Sequence, residues 1–96
     1  MTKAEIVAGI SEETGLERSE VLRTVESFMH SIKSSLSDGQ NVYLRGFGSF
    51  IVKRRAQKTG RNISKKTTVI IPAHNIPSFK PAKVFINEVK NNVSVD

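Results

Sequence analysis

The chain has 96 residues and a mass of 10.6 kDa, which is the size of one small domain. Hydrophobic residues make up 38% and charged residues 25%, proportions that favour a folded domain over a disordered one. Cysteine is absent from this chain, which excludes disulfide bonds, thiolate zinc sites and a catalytic cysteine. No run approaches the ~18 apolar residues of a membrane span, and the first residues lack the apolar stretch of a signal peptide, so we expect a cytosolic protein.

The net charge of +6 is distributed unevenly along the chain. Residues 1–44 carry four basic and seven acidic side chains, a net −3, whereas residues 45–96 carry eleven basic and two acidic side chains, a net +9. Between Arg45 and Lys83 there are ten basic side chains and no acidic one. Such a segment repels itself unless a polyanion neutralises it, so the charge pattern favours a nucleic-acid partner.

Periodic apolar residues predict two helices in the first half. Thr2-Lys3-Ala4-Glu5 fits a capping box at the start of the first helix, and Gly15 supplies its stop. A second helix is expected from about Arg18 to Ser37, ended by Asp38-Gly39. Its apolar stripe, which fits either an ordinary core or a dimer interface, comprises Val21, Leu22, Val25, Phe28, Met29, Ile32 and Leu36.

After Asn41 the pattern becomes that of β-structure. Strands are predicted at Val42-Tyr43-Leu44, from Ser49 to Val52, and at Thr68-Val69-Ile70-Ile71. Residues 53–68 contain only two apolar side chains, those of Ala56 and Ile63. We therefore expect residues 53–68 to form the far end of a long hairpin, which buries almost nothing and stays mobile until a partner binds it.

Prolines mark the last part of the chain. Pro72 and Pro77 lack a backbone donor, which predicts an edge strand or a bulge. Ser78-Phe79-Lys80-Pro81 is predicted to be a turn whose proline suits the first turn of a helix. The predicted order of elements is helix, helix, strand, long ribbon, strand, helix, and the last helix carries Val84, Phe85, Ile86 and Val89 before fraying over residues 91–96.

The sequence offers little for catalysis. His30 and His74 are the only histidines, and each is better explained as a surface side chain than as a base or a metal ligand. Gly46-Phe47-Gly48 lies between two predicted strands, so it is not a phosphate loop that opens a helix. We therefore expect a protein that is not an enzyme and that takes no cofactor, metal or small-molecule substrate. The acidic side chains of the predicted helices are better explained as charges at helix ends than as catalytic groups; they are Glu12, Glu13, Glu17 and Glu20.

The predicted ribbon is the most informative part of the sequence. Lys53, Arg55, Lys58 and Arg61 recur at spacings of two and three in an extended chain, so several can share one face and meet a line of phosphates. A hairpin that only improves solubility would interleave acidic residues, and none is present. Near the apex, Ile63 is either a turn residue packed on its own hairpin or a wedge between base pairs, a role that apolar side chains take in minor-groove architectural proteins.

Four motifs together resemble the HU/integration host factor family of bacterial histone-like, DNA-bending proteins. The resemblance covers nearly the whole chain at the family's spacing. At the arm tip, where the family usually reads Gly-Arg-Asn-Pro, Ile63 stands in place of the proline; isoleucine keeps apolar bulk but lacks the ring's fixed φ and has an N–H. The motifs are Arg45-Gly46-Phe47-Gly48-Ser49-Phe50, Thr59-Gly60-Arg61-Asn62, Ile71-Pro72-Ala73 and Pro77-Ser78-Phe79-Lys80.

This resemblance implies an α+β fold, in which an intertwined dimer has a helical base, an antiparallel sheet saddle and two long β-ribbon arms. It implies one domain over residues 1–96. Residues 1–44 would be the helical dimerisation half, residues 45–82 the sheet and DNA-binding arm, and residues 83–96 the C-terminal helix and tail.

The resemblance also implies roles for three groups of residues, while Arg54 is assigned none. The minor-groove contacts of the arm would be Arg55, Lys58, Arg61, Asn62 and Ile63. The phosphate contacts would be Lys3, Gly46, Gly48, Lys53, Lys65, Lys66, Lys80 and Lys83. The dimer core would comprise Val25, Phe28, Met29, Ile32, Phe47, Phe50 and Phe79.

The expected function is that of a homodimeric, nucleoid-associated protein in the cytoplasm. It would bind double-stranded DNA through the minor groove with little sequence preference, and would bend and compact it. Two alternatives stay open: one subunit of a heterodimer with a preferred DNA site, and a regulator that binds structured RNA. A membrane partner is disfavoured because the basic ribbon has no apolar face.

Overall fold

The computed structural model describes residues 1–62 and 67–96, which form two compact units, Met1–Ser35 and Leu36–Asp96. Helices and antiparallel strands are both present, which confirms the predicted α+β class. Within the two described ranges, no helix is long and apolar enough to cross a membrane. The elements are α1 (Lys3–Thr14), α2 (Arg18–Ser37), β1 (Val42–Leu44), β2 (Gly48–Arg55), β3 (Lys58–Asn62), β4 (Thr67–Ile71), β5 (His74–Pro81) and α3 (Lys83–Asn92).

The first two helices begin and end where their capping residues predict. The Thr2 hydroxyl accepts a hydrogen bond from the Glu5 backbone N–H at 3.3 Å, and so caps the N-terminus of α1. Gly15 ends this helix with φ 78°, a left-handed conformation that glycine adopts without steric cost. The bounds of α2 match the predicted ones, and Gly39 follows with φ 80°.

The strands form two antiparallel ladders within Leu36–Asp96. A three-stranded sheet has the order β1-β2-β5, and its β2–β5 ladder ends with Arg55 opposite His74. A second ladder, which we call the arm, joins β3 to β4 and starts with Lys58 opposite Ile71. Residues 56–57 and 72–73 separate the two ladders.

Strand β2 continues further than its apolar side chains predicted. The expected strand from Ser49 to Val52 extends through Lys53 to Arg55, so these basic residues belong to the three-stranded sheet and not to the outer ribbon. The prediction was wrong here because pairing with β5 supplies main-chain hydrogen bonds, which need no apolar side chains. The basic segment therefore starts on the sheet and continues into the arm.

The predicted turn at residues 78–81 was also wrong. These residues complete β5, and α3 begins only at Lys83. Pro77 and Pro81 are four residues apart, so the N–H groups that they lack fall on the same side of β5. As the outermost strand of its sheet, β5 has one side that pairs with no described strand, which confirms the predicted edge position of Pro77. Pro72, in contrast, lies between β4 and β5.

The hydrophobic core of the described residues is small. Val7 and Val21, both in Met1–Ser35, are the only buried hydrophobic side chains among them, and α3 buries none. In Leu36–Asp96, an aromatic cluster takes the place of a deep core. Its ring centroids lie 5.2 Å apart for Phe47–Phe79, 4.9 Å for Phe50–Phe79 and 5.5 Å for Phe47–Phe85.

Candidate nucleic-acid interface

Strand register gives the three-stranded sheet two chemically different faces. Phe50 lies opposite Phe79 on β5 and opposite Val42 on β1, so these side chains share an apolar face. The alternate residues form the other side of the sheet, which we call the basic face. It comprises Tyr43, Ser49, Ile51, Lys53, Arg55, His74, Ile76, Ser78 and Lys80.

Three of the predicted DNA contacts lie together on the basic face. Lys53, Arg55 and Lys80 are all exposed, and the sequence has no acidic residue from position 39 to position 87 to neutralise them. Arg54 lies on the opposite face, across from Asn75. The basic face therefore presents uncompensated cations on a main-chain scaffold, which is a suitable surface for phosphates.

The arm does not hold its cations on one face. Lys58 and Arg61 are three residues apart in the continuous strand β3, and side chains alternate along a strand, so these two lie on opposite faces. The expectation of a shared face therefore fits Lys53 and Arg55 but not this pair. Strand β4 adds exposed apolar side chains to the arm, including Ile70, which is 62% exposed.

Gly46, in the β1–β2 connection, and Gly48, the first residue of β2, require glycine for different structural reasons. Gly46 has φ 79°, which requires a residue that tolerates the left-handed region. Gly48 is buried against β5, and a Cβ atom there would lie 2.6 Å from the Lys80 carbonyl oxygen and 2.6 Å from the Phe79 ring. Gly48 is thus required by packing, and its contact with a phosphate stays a prediction.

A shallow cleft beside α3 gathers further cations. Arg45, Lys80 and Lys83 line it together with Tyr43. Helix α3 starts at this cleft, and its N-cap residue Ala82 makes no side-chain capping bond. Helix N-terminal N–H groups and nearby cations both favour an anion.

Lys3, a predicted phosphate contact, is already paired within Met1–Ser35. Its Nζ atom lies 2.9 Å from Oε1 of Glu26, and both side chains are about half exposed. An exposed ion pair of this kind is weak, because water and salt screen it. A phosphate can therefore compete for Lys3, but it must displace the Glu26 carboxylate.

Part of the predicted arm contact lies outside the described residues. Ile63, Lys65 and Lys66 fall between the two described ranges, and for Asn62 only the backbone, at the end of β3, is described. The predicted roles of these four residues remain predictions.

The predicted dimer-core residues are largely uncovered in the single chain. Phe28 is 43% exposed and Phe47 46%, and Met29 and Phe79 are similarly exposed. Val25, Ile32 and Phe50 are half-buried. Exposed aromatic and aliphatic side chains of this kind, present in each of the two units, are typical of interaction surfaces.

The structure adds two residues to the candidate interface that sequence reasoning missed. His74 was interpreted as an ordinary surface histidine, but it lies on the basic face opposite Arg55. Arg45 was used only as part of a motif, but it lines the cleft with Lys80 and Lys83. Counting back from Lys80 in steps of two would have placed His74 on the same face, had residues 78–81 been recognised as strand.

The histidines and acidic residues of residues 1–62 and 67–96 do not form a metal site. Among the residues that the structure describes, no group of three or more acidic, histidine or cysteine side chains could hold a metal ion. The Nδ1 atom of His74 lies 3.0 Å from the Pro72 carbonyl oxygen, a partner that is not a nucleophile.

Comparisons with known proteins identify the same family as the sequence motifs. The profile of the family described as bacterial DNA-binding protein matches residues 1–90. DNA-binding protein HU from Xylella fastidiosa is 36% identical over 92 residues, covering 96% of this chain and 98% of that protein. Integration host factor subunit beta from Marinobacter nauticus is 40% identical over 94 residues, covering 97% and 96%.

A solved structure agrees with these sequence matches. The chain is similar to Anabaena HU in a cocrystal structure with DNA, with a TM-score of 0.89 and 30% identity, covering 93% of this chain and 97% of that one. The resemblance drawn from the four motifs is thereby confirmed. The chain belongs to the bacterial DNA-binding protein family, which includes HU and integration host factor and whose members are DNA-binding proteins rather than enzymes.

Proposed function

We propose that two copies of this chain form an intertwined homodimer that binds duplex DNA, bends it and compacts it within the bacterial nucleoid, in the cytoplasm. The observation that carries this proposal is the basic face, where Lys53, Arg55 and Lys80 stand on one side of a sheet without an acidic neighbour. Phosphate is the ligand that such a row of cations fits best.

The uncovered apolar surface supports the dimer. Besides the exposed predicted core residues, a groove between β5 and α3 is lined almost entirely by apolar atoms of Phe79, Pro81, Phe85, Ile86 and Val89. A chain this short cannot easily stabilise itself when so few side chains are buried. A second copy would cover these side chains and supply the missing core.

The chemistry of the contacts supports binding with little sequence preference. Lysine and arginine pair with phosphates whatever the bases are, so the basic face and the α3 cleft would fix the duplex in place without reading it. The arm would enter the minor groove, where Lys58 and Arg61 on its two faces could reach both walls and Ile70 could contact sugars. Ile63 at the tip would serve as the wedge.

Bending would follow from the saddle-shaped dimer surface that the family resemblance implies. On such a surface a straight duplex would meet only some of the cations, whereas a bent duplex would reach more of the predicted phosphate contacts, including Lys3, Lys80 and Lys83. Bending and unstacking cost a few kcal/mol, and the additional phosphate contacts offset that cost. The cost is lower on nicked or kinked DNA, so such DNA should bind more tightly.

A pair of neighbouring arginines provides a matched test. Arg55→Gln removes a cation from the basic face, and Arg54→Gln removes an identical charge from the opposite face. Each phosphate contact contributes about −0.9 to the slope of log affinity against log salt. We expect Arg55→Gln to make this slope shallower by roughly two units, because both chains of the dimer lose a contact. Arg54→Gln should change the slope much less. Gel shifts on linear, nicked and four-way-junction duplexes over a salt series would measure this.

Other results of these binding experiments would indicate a different DNA-binding surface or a different function. Equal losses in the two variants would refute the assignment of DNA to the basic face. A footprint confined to one sequence would indicate a site-specific heterodimer subunit, and equal competition by structured RNA at fixed salt would indicate an RNA-binding regulator.

A further inference from the structure

His74 lies where the three-stranded sheet gives way to the arm. It is the first residue of β5, it is exposed, and it stands directly opposite Arg55 on the basic face. Lys53 lies on the same face two residues back along β2, within diagonal reach of a long side chain. A phosphate held by Arg55 would therefore lie beside the imidazole.

A hydrogen bond determines which ring nitrogen of His74 can face that phosphate. Nδ1 lies 3.0 Å from the Pro72 carbonyl oxygen. A carbonyl oxygen only accepts hydrogen bonds, so this contact assigns the proton of the neutral ring to Nδ1. Nε2 then carries a lone pair, which repels a phosphate oxygen, and it becomes a donor only when the ring takes up a second proton.

We propose that His74 is a DNA-phosphate contact made only by its protonated form, so that DNA binding by this protein strengthens as the pH falls below neutral. This inference rests on the proposed function, and it adds to that function a contact whose charge can change. Histidine is the side chain that ordinarily gains its charge between pH 5 and 8.

The charged side chains near His74 in the sheet are given by the strand register. Among the described strands, β2 is the one that pairs with β5, and its charged residues near His74 are Lys53 and Arg55 on the same face and Arg54 on the other. All three are cations, and no carboxylate lies between positions 39 and 87 of the sequence. Since β2 and β5 supply no carboxylate, a bound DNA phosphate would be the anion that pairs with a protonated His74, and binding and protonation should favour each other.

The test compares three variants by fluorescence anisotropy with a labelled duplex of arbitrary sequence, at about pH 6 and about pH 8 and constant ionic strength. His74→Gln keeps a polar side chain without the titration, His74→Arg keeps a permanent charge, and His30→Gln removes the other histidine. We expect the wild type to gain about fivefold more affinity than His74→Gln on acidification, since a dimer makes two exposed ion pairs. His74→Arg should bind at about pH 8 as tightly as the wild type at about pH 6, and His30→Gln should match the wild type.

The outcomes separate this inference from the proposed function. If His74→Gln keeps the full pH dependence of the wild type, the titrating group lies elsewhere and the proposed contact is wrong. If the wild type fails to bind duplex DNA at either pH, the proposed function itself is wrong. A salt series adds a second reading: near pH 6 the slope of the wild type should be steeper than that of His74→Gln by up to about two units, and equal slopes would contradict the contact.

Discussion

Replacing Gly48 with alanine would separate the packing role of this glycine from its predicted phosphate contact. The backbone of Gly48 lies in a regular strand, so alanine has no conformational cost there. Its Cβ atom, however, would lie 2.6 Å from the Lys80 carbonyl oxygen and 2.6 Å from the Phe79 ring, where ordinary contacts are 3.4–4 Å. The strand or the ring must therefore move by nearly 1 Å.

The cost of that movement can be estimated from the neighbouring contacts. The Phe79 ring lies 5.2 Å from Phe47 and 4.9 Å from Phe50 between centroids, so it cannot swing away freely. Overpacking of this kind costs about 1–3 kcal/mol per chain. For a domain of this size, a loss of about 2 kcal/mol lowers the melting temperature by roughly 10 °C.

Thermal unfolding followed by circular dichroism would measure the effect, with all proteins at the same concentration because a dimer's stability depends on it. Gly9→Ala is the matched control, since Gly9 lies within α1 and, apart from its chain neighbours and the backbone of its own helix, no described group comes within 4 Å of the position that its new methyl group would take. That substitution should stabilise the protein by about 0.5–1 kcal/mol through helix propensity. If Gly48→Ala melts with the wild type while its DNA affinity falls, the packing argument is refuted and Gly48 acts on DNA directly.

Three further predictions concern DNA contact. Lys83→Ala should make the slope of log affinity against log salt shallower by roughly two units per dimer. Lys3→Ala should change it by less, because Lys3 must first leave Glu26. Equal effects of the two variants would show that this ion pair does not compete with DNA. Ile63→Ala should reduce the bending of intact duplex, measured by fluorescence transfer, but spare affinity for pre-kinked DNA, and unchanged bending would make Ile63 a turn residue. Trypsin should cut the free protein first in the basic segment, for example after Lys58, and DNA should protect that site; first cleavage within α2 would contradict this.

The helices could be predicted closely from the sequence. Their ends are determined by local chemistry, such as the Thr2 hydroxyl that caps α1 and the Gly15 and Gly39 residues that follow α1 and α2 in left-handed conformations. Apolar residues at helical spacing then predict that the residues between those ends are helical. Both signals are contained within a few neighbouring residues, so they can be read without knowing the tertiary structure.

The strands were harder because pairing partners are distant in sequence. β2 extends to Arg55 through hydrogen bonds with β5, and residues 78–81 are strand despite Pro81 because the edge of a sheet tolerates proline. The basic face followed from that register and was therefore only partly visible in the sequence. Spacing alone could group Lys53 with Arg55, but it could not show that His74 joins them.

The proposal of a DNA-bending dimer is tested most directly by measuring bending and stoichiometry together. A short duplex labelled at both ends with a fluorescence-transfer pair would be titrated with the protein at low salt. We predict that energy transfer rises as DNA is bound and that it saturates at two chains per duplex site, because a dimer bends the DNA that it covers. Complete binding with unchanged transfer, or saturation at one chain per site, would contradict the proposal.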